Sequence, residues 1–445
     1  MNSFFKGTLL LIAAACVGEV VEFIINMVLA RELGEKGLGM YMAILPTVFL
    51  IVLLASFEMP VSISKFIAER DNRIHHSMLS HVLRWTIIMT AVLMVVVSIV
   101  LPFIPAFDQY HPIFRWLVLI LIPIVSFTSI ARGYFMGKSD MAKIAVANFL
   151  RKLVQLLLLV YLFYLFDFEI SAAVLIAFCT LVGSDLVVFL YLFHVFMIQY
   201  NYMKKQPSKR LHSKVVMKNL MEVSVPTTAL RVFHAFTSAL EPFLITGALF
   251  YAGVSKDLAT EQFGMVAGIA MVIGSFPTFI SHSLMIMLIP TISKANAERN
   301  TVYLQRLLKQ VMMWTFAYGI PAVLVCYFLA EPLTSTFFHS TGAARYLQLL
   351  WPCFLFRFFI MPLQAYLIGL GLMKEAFLHA VWATITAFTV IYFLGSKPGF
   401  QMDGVIIGIN AEAILLMLLH YVAVCKKIGV SIFMLPLNRI KSSRS

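Results

Sequence analysis

The sequence predicts an all-α polytopic membrane protein: about twelve transmembrane helices in two six-helix bundles related by an axis along the membrane normal. Three observations predict it. The 445 residues are 61% hydrophobic and only 12% charged, with a mean hydropathy of +0.91, whereas a soluble domain is nearer a quarter charged. Long apolar runs recur along the whole chain, too continuous for the alternating strands of a barrel. One eight-residue motif also occurs twice, at equivalent places in the two halves.

Taken in order, the apolar runs fall at roughly 5–33, 38–62, 80–104, 113–135, 144–166, 170–198, 220–252, 263–290, 309–330, 347–370, 376–395 and 404–425. Each is long enough to cross about 30 Å of hydrocarbon as a helix. Orientation follows from Lys and Arg. With the N-terminus inside, most of the 34 basic residues fall in inner loops and flanks. The outer side holds Arg31, Lys36, Arg115, Lys256, Arg345 and Lys397, which leaves Arg231 and Arg357 deep in the membrane, counted to neither side. Both termini are therefore expected in the cytoplasm, with the chain in the cell membrane. The net charge of +13 belongs to topology, which removes nucleic acid as a partner. Membrane lipids remain one, since basic inner loops also meet anionic headgroups.

The longest hydrophilic stretch, 201–219, carries six lysines and arginines and follows six spans. It divides the chain into a first bundle at 1–200, a basic linker at 201–219, a second bundle at 220–428 and a basic tail at 429–445. The halves look duplicated. Ile63-Ser64-Lys65-Phe66-Ile67-Ala68-Glu69-Arg70 recurs as Ile292-Ser293-Lys294-Ala295-Asn296-Ala297-Glu298-Arg299, each copy ending the second helix of its half. Gly39-Met40 and Gly264-Met265 precede the two copies. With six spans in each half, both halves start inside, which makes a parallel repeat. Pro46, Pro123, Pro226, Pro277, Pro321, Pro352 and Pro362 lie within spans, where most set helix shape, while Pro226, just before the polar stripe of the seventh span, stays open to a role in bending during transport.

The seventh span is the most polar. Thr227, Arg231, His234, Ser238 and Glu241 lie four, three, four and three apart, on one helix face, with Glu222 just before them. An arginine near the bilayer centre costs roughly 2.5–3.5 kcal/mol on insertion scales. Such a stripe needs a watery cavity or partners. The first span has its own polar face in Glu19, Glu22 and Asn26, and the fifth has Asn148, Arg151 and Gln155. The tenth span carries Arg357 and the eleventh His379, Trp382, Thr386 and Thr389, while Glu58, Asp185, His282, Glu412 and His420 stand singly. Spans one and seven open the two halves, so they are expected to line a shared cavity with Arg231 facing acid.

Two chemical roles fit these residues. Arg231 and Arg357, with Arg151 in support, suit a phosphate or diphosphate, because guanidinium is a planar fork of donors that stays charged. Glu19 and Glu22 suit a proton or sodium ion, or simply balance the arginines. A structural Arg231 ion pair stays open beside the anion site. His234, His282 and His379 are weighed as proton carriers against packed histidines.

No phosphate-binding Gly-rich loop ending in Gly-Lys-Ser/Thr, nucleophile elbow or His-Glu-x-x-His is present, so neither an ATPase nor another enzyme is expected. Cys16, Cys179, Cys326, Cys353 and Cys425 are scattered singly in apolar runs, without metal or redox spacing. No cofactor is expected; an ion gradient or the membrane potential is left to drive any transport.

The repeated Ile-Ser-Lys-x-x-Ala-Glu-Arg ends matter here, as does the turn from Ala30-Arg31-Glu32-Leu33-Gly34 to Gly37-Leu38-Gly39-Met40-Tyr41. On these residues the chain resembles the polysaccharide-exporter branch of the multidrug/oligosaccharidyl-lipid/polysaccharide flippase superfamily. Within it, the chain looks most like the stage V sporulation protein B group. The resemblance covers about residues 1–430 and implies two bundles that open alternately to each side. It implies an anionic lipid-linked sugar precursor as substrate, envelope-synthesis proteins as partners, and a place in the mother-cell or forespore membrane during spore cortex or coat assembly. Lipid II flippases of the superfamily carry arginines in the first cavity helix; Glu19 and Glu22 stand there instead, which weighs against lipid II. The rival reading is a cation-coupled multidrug or metabolite exporter, with Glu19 and Glu22 binding the cation.

Overall fold

The computed structural model describes residues 3–57, 59–70, 72–104, 107–166, 168–205 and 213–431. Glu58, the linker at 206–212 and the tail from 432 onward lie outside the described residues, as do the side chains of Glu222, Pro226 and Thr227. Among the described residues the regular structure is helical, as expected from a chain that must satisfy its backbone inside lipid. The helices are α1 (Ser3–Ser56), α2 (Met59–Glu69), α3 (Asn72–Val100), α4 (Ile113–Gly137), α5 (Met141–Leu165), α6 (Ile170–Lys204), α7 (Ser213–Tyr251) and α8 (Lys256–Gly264). They continue as α9 (Met271–Ser275), α10 (Thr278–Ala297), α11 (Thr301–Phe328), α12 (Ala330–Phe338), α13 (Ala343–Leu349), α14 (Trp351–Gly369), α15 (Met373–Gly395) and α16 (Met402–Ile428).

Among the described residues, eleven helical stretches are long and apolar enough to cross a membrane. The first of them, Cys16–Glu69, holds two of the expected spans. It breaks at Gly34, where φ is 64° and ψ is 177°, a conformation essentially reserved for glycine. The expected loop after span one thus shrinks to a single residue. The eighth span is the least regular. Expected as one helix over 263–290, it begins earlier at Lys256 and winds wider as a π-helix over Met265–Ala270. It then breaks at Pro277, which precedes α10 and has no N–H to continue the ladder. Pro46, Pro123, Pro321 and Pro362 sit inside helices that run on through them.

Two compact units form: Glu32–Pro242, and Met1–Arg31 together with Phe243–Ser445. They are offset from the division drawn at 201–219 by one helical stretch on each side. Side chains explain why the part of α1 up to Arg31 joins the second unit. The Phe23 ring lies edge-on to Phe276, Phe337 and Phe338, at centroid distances of 5.5, 5.7 and 5.4 Å. Arg31 donates from Nε to the Phe337 carbonyl at 2.8 Å and from Nη2 to the Thr336 carbonyl at 2.7 Å. These carbonyls belong to the last turn of α12, where helix geometry leaves them without partners. In the other direction, Val216 and Leu220 of α7 are buried with Phe66, Leu79, Phe135 and Phe196 in the core of the first unit.

The repeat has a packing basis. In the first unit Ile63 lies against Gly133 of α4, where an added Cβ would come within 2.8 Å of the Ile63 Cβ. In the second unit its counterpart Ile292 lies against Gly369 of α14, again at 2.8 Å. Each motif isoleucine therefore packs into a gap that only glycine leaves in the fourth span of its half. The two Gly-Met pairs also match. The buried Tyr110 hydroxyl, in the loop before α4, donates to the Met40 carbonyl at 2.7 Å. Gly342, in the loop before α13, would press its Cβ to 2.8 Å from the Met265 sulfur.

Candidate functional site

The first unit holds a charged cluster inside its spans. Asn148, Arg151 and Gln155 recur at three and four residues, which puts them on one face of α5, toward α4 and α6. Arg151 Nη1 lies 3.5 Å from Asp185 Oδ1, halfway along α6, and the Asp185 side chain is 17% exposed. Arg132, near the end of α4, donates to Asn148 Oδ1 at 2.8 Å, and its charge also acts on Asp185. Gln155, one turn beyond Arg151, is buried. One guanidinium thus pairs with the carboxylate, and a second, bonded to Asn148, acts on it by charge. A lone carboxylate at this depth would be costly, and so would a lone arginine; together they leave one positive charge in surplus.

The second unit holds a balanced counterpart. Glu412 of α16 interacts with the charge of Arg357 on α14 and makes a side-chain hydrogen bond with Thr384 of α15. Three neighbouring helices contribute one residue each. The sequence left Glu412 single and offered Arg357 as an anion ligand, whereas the structure brings the two together.

The polar stripe of α7 stays on one face of an unbroken helix. Arg231, His234 and Ser238 are exposed, and Glu241 is half-buried. Arg231 and Glu241 both have interaction partners. Glu19, Glu22 and Asn26 are half-buried along α1, and the Asn26 amide donates to the Glu22 carbonyl at 2.9 Å. Arg231, His234, Glu241 and Arg151 belong to the first unit; Glu19, Glu22, Asn26 and Arg357 belong to the second. Within the first unit, the structure joins Arg151 to Arg132, Asn148 and Asp185, a grouping the sequence did not make. The sequence shows Asp185 standing singly in its span and gives no reason to pair it with Arg132 of another helix. The signal available was an acid in a span with no basic residue on its own face. Choosing its partner required knowing which helices are neighbours.

Comparison with known proteins fits this architecture. A family model described as "Polysaccharide biosynthesis protein" matches residues 4–295. The chain belongs to that family. A second model, MatE, matches residues 263–393, which lie in the other half of the repeat. The chain is 53% identical over 434 residues to "Sporulation protein YkvU" of Bacillus subtilis (strain 168), covering 98% of both chains. It is 31% identical to "Stage V sporulation protein B" of the same organism, covering 97% of this chain and 85% of the relative. Among solved structures, an inward-facing multidrug resistance MATE family transporter of the MOP superfamily superposes with a TM-score of 0.72, at 17% identity, over 92% of this chain and 94% of its own. A MOP superfamily transporter from Pyrococcus furiosus superposes at 0.62 and 16%, over 96% of each chain. The protein is thus a multi-pass membrane member of a transporter and flippase superfamily, with relatives named for sporulation.

Proposed function

We propose that this protein is a flippase that moves a lipid-linked sugar or peptidoglycan precursor across the cytoplasmic membrane by alternating access, in service of spore cortex or coat assembly. The family description supports a saccharide-bearing substrate, and the names of the two Bacillus relatives support the sporulation context. The observation that carries the reading is the Arg151–Asp185 ion pair within membrane spans, with the Arg132 guanidinium held on Asn148 beside it and its charge acting on the same carboxylate. A surplus guanidinium at that depth suits a diphosphate, whose oxygens accept two parallel N–H bonds from each fork. The isoprenoid tail of such a substrate stays in lipid, so only the headgroup needs a polar path.

The remaining residues take supporting roles. The exposed face of α7, with Arg231 and His234, offers the headgroup hydrogen-bond donors. Arg357 interacts with the charge of Glu412 and acts chiefly as structure until a conformational change separates the two. Glu19 and Glu22 place acid where arginine stands in lipid II flippases, so the favoured substrate is another lipid-linked saccharide. Both termini face the cytoplasm. The chain itself supplies no hydrolysis, and an ion gradient drives the cycle.

The test uses purified protein in liposomes with fluorescent undecaprenyl-diphosphate sugars, measuring access of the label to an external quencher. Wild type is expected to move label between leaflets, and Arg151→Ala to slow it at least tenfold, about 1.4 kcal/mol of lost stabilisation, with unchanged protein content. A sporulating strain lacking the protein, rescued by wild type but not by Arg151→Ala, checks the biological side. Toxin sensitivity that only Glu22→Gln fails to rescue would contradict the reading and favour the cation-coupled exporter.

A further inference from the structure

His379 and His420 were met in the sequence forty-one residues apart; the fold makes them a pair. Their Nδ1 atoms are 3.1 Å apart and their ring centroids 5.2 Å, with His379 on α15 and His420 on α16. His420 is 3% exposed and His379 is half-buried. His379 lies six residues into α15, and His420 eight residues before the end of α16, roughly 9–12 Å from the helix ends at 1.5 Å per residue. Those ends carry Lys374, Lys426 and Lys427, the residues that assign this side to the cytoplasm.

The geometry restricts what protons can do here. Two ring nitrogens at 3.1 Å share one hydrogen, so one Nδ1–H donates and the other Nδ1 accepts. The donating ring then has a bare Nε2. A proton from water that lands there makes an imidazolium, and the shared bond becomes charge-assisted and stronger. A second proton has only the accepting Nδ1 to occupy, where two N–H groups would face each other at contact distance. The pair therefore loads one proton closed and a second only by opening.

The surroundings suit that role. Glu375 lies one turn before His379 on the exposed end of α15, and its charge acts on that ring. On α16, the hydroxyl of Tyr421 and the thiol of Cys425 bond to each other. From α14, which packs on both helices, Arg357 is engaged with Glu412, and the Tyr366 hydroxyl donates to the Leu304 carbonyl at 3.1 Å. Gln305 of α11 donates to the Ile428 carbonyl, and Lys426 and Lys427 are exposed. One carboxylate, Glu375, stands beside the pair and favours a charge there, whereas burial of the rings opposes it, so the shared hydrogen bond has to carry the added proton.

We propose that His379 and His420 form a one-proton binding site in the second unit, which makes the proton the coupling ion of transport. The coupling clause rests on the transport reading above; the binding site itself does not.

Two measurements separate them. Full-length protein with 15N-labelled histidine in lipid nanodiscs is titrated from about pH 8 to about pH 3, because burial opposes charging of the pair. The expected result is that the two rings titrate together, with one proton gained by the pair. His379→Gln and His420→Gln should each remove that joint transition, and Glu375→Gln should keep it but require a more acidic solution. Independent titration of the two rings, or an unchanged joint transition in His379→Gln, overturns the proton site. In liposomes with an imposed pH gradient, wild-type flipping should change with the gradient's sign, and the ratio of rates with and without the gradient should fall to one in either variant. A full gradient response in both variants overturns the coupling role. If wild type shows joint titration but moves no labelled lipid, the proton site stands and the transport reading falls.

Discussion

The unit built on Glu32–Pro242 brings two guanidiniums to one carboxylate; the unit containing Phe243–Ser445 brings one guanidinium to one carboxylate and a threonine. Around these clusters the two units reuse the same packing. Ile63 lies against Gly133 as Ile292 lies against Gly369; Met40 meets the loop before α4, and Met265 the loop before α13, the short helix that leads into α14. The difference between frame and cluster is instructive. Close packing leaves few acceptable residues, so both copies kept glycine where a methyl group would collide. Charge placement at membrane depth is costly, so each cluster persists only with its own partners or its own function. One cluster is balanced and suits structure; the other has a surplus and suits an anion.

The largest effects should come from the shared frame. Gly133→Leu and Gly369→Leu would each force a side chain into an isoleucine 2.8 Å away, a loss of about 1–3 kcal/mol, or more where backbone must move. Membrane levels of both variants, followed by a fluorescent C-terminal fusion, should fall together; a normal level of either would break the equivalence of the halves. Next comes the difference between the clusters. Arg151→Ala should reduce flipping while leaving membrane levels close to wild type, because the Arg132 charge still acts on Asp185. Arg357→Ala should lower membrane levels, because it strips Glu412 of its countercharge. The opposite pattern would exchange the two roles.

A smaller effect is expected at the opening helices. A charge swap between Arg231 and Glu22 restores stability if the two form a structural pair, and fails to restore flipping if Arg231 serves the anion; the melting temperature and the flipping rate are read on the same preparation. The smallest effect is Tyr110→Phe, which removes one buried hydrogen bond to the Met40 carbonyl, about 1 kcal/mol in thermal stability.

Much of this frame was legible in the sequence. Apolar length located the spans, and the recurrence of Ile-Ser-Lys located both ends of the duplication, because hydropathy and close packing act on neighbouring residues. The break at Pro277 and the π-helical turns before it were not legible, since proline elsewhere in the chain leaves helices intact. Nor were the partners of Asp185, Glu412 and His420. Each partner sits on a different helix, and spacing along one helix says nothing of its neighbours. The docking of α1 on Phe276, Phe337 and Phe338 escaped for the same reason, although Phe23 lay within the span from the start.

The central claim is that the surplus charge of the first unit recognises a diphosphate. Its most direct measurement compares flipping of an undecaprenyl-diphosphate sugar with that of a neutral polyprenyl sugar of equal tail length, in liposomes holding wild type or the Arg132→Gln, Arg151→Gln double variant. Wild type should favour the diphosphate lipid by at least tenfold, and the double variant should lose that preference. A double variant that keeps the full preference would contradict the account.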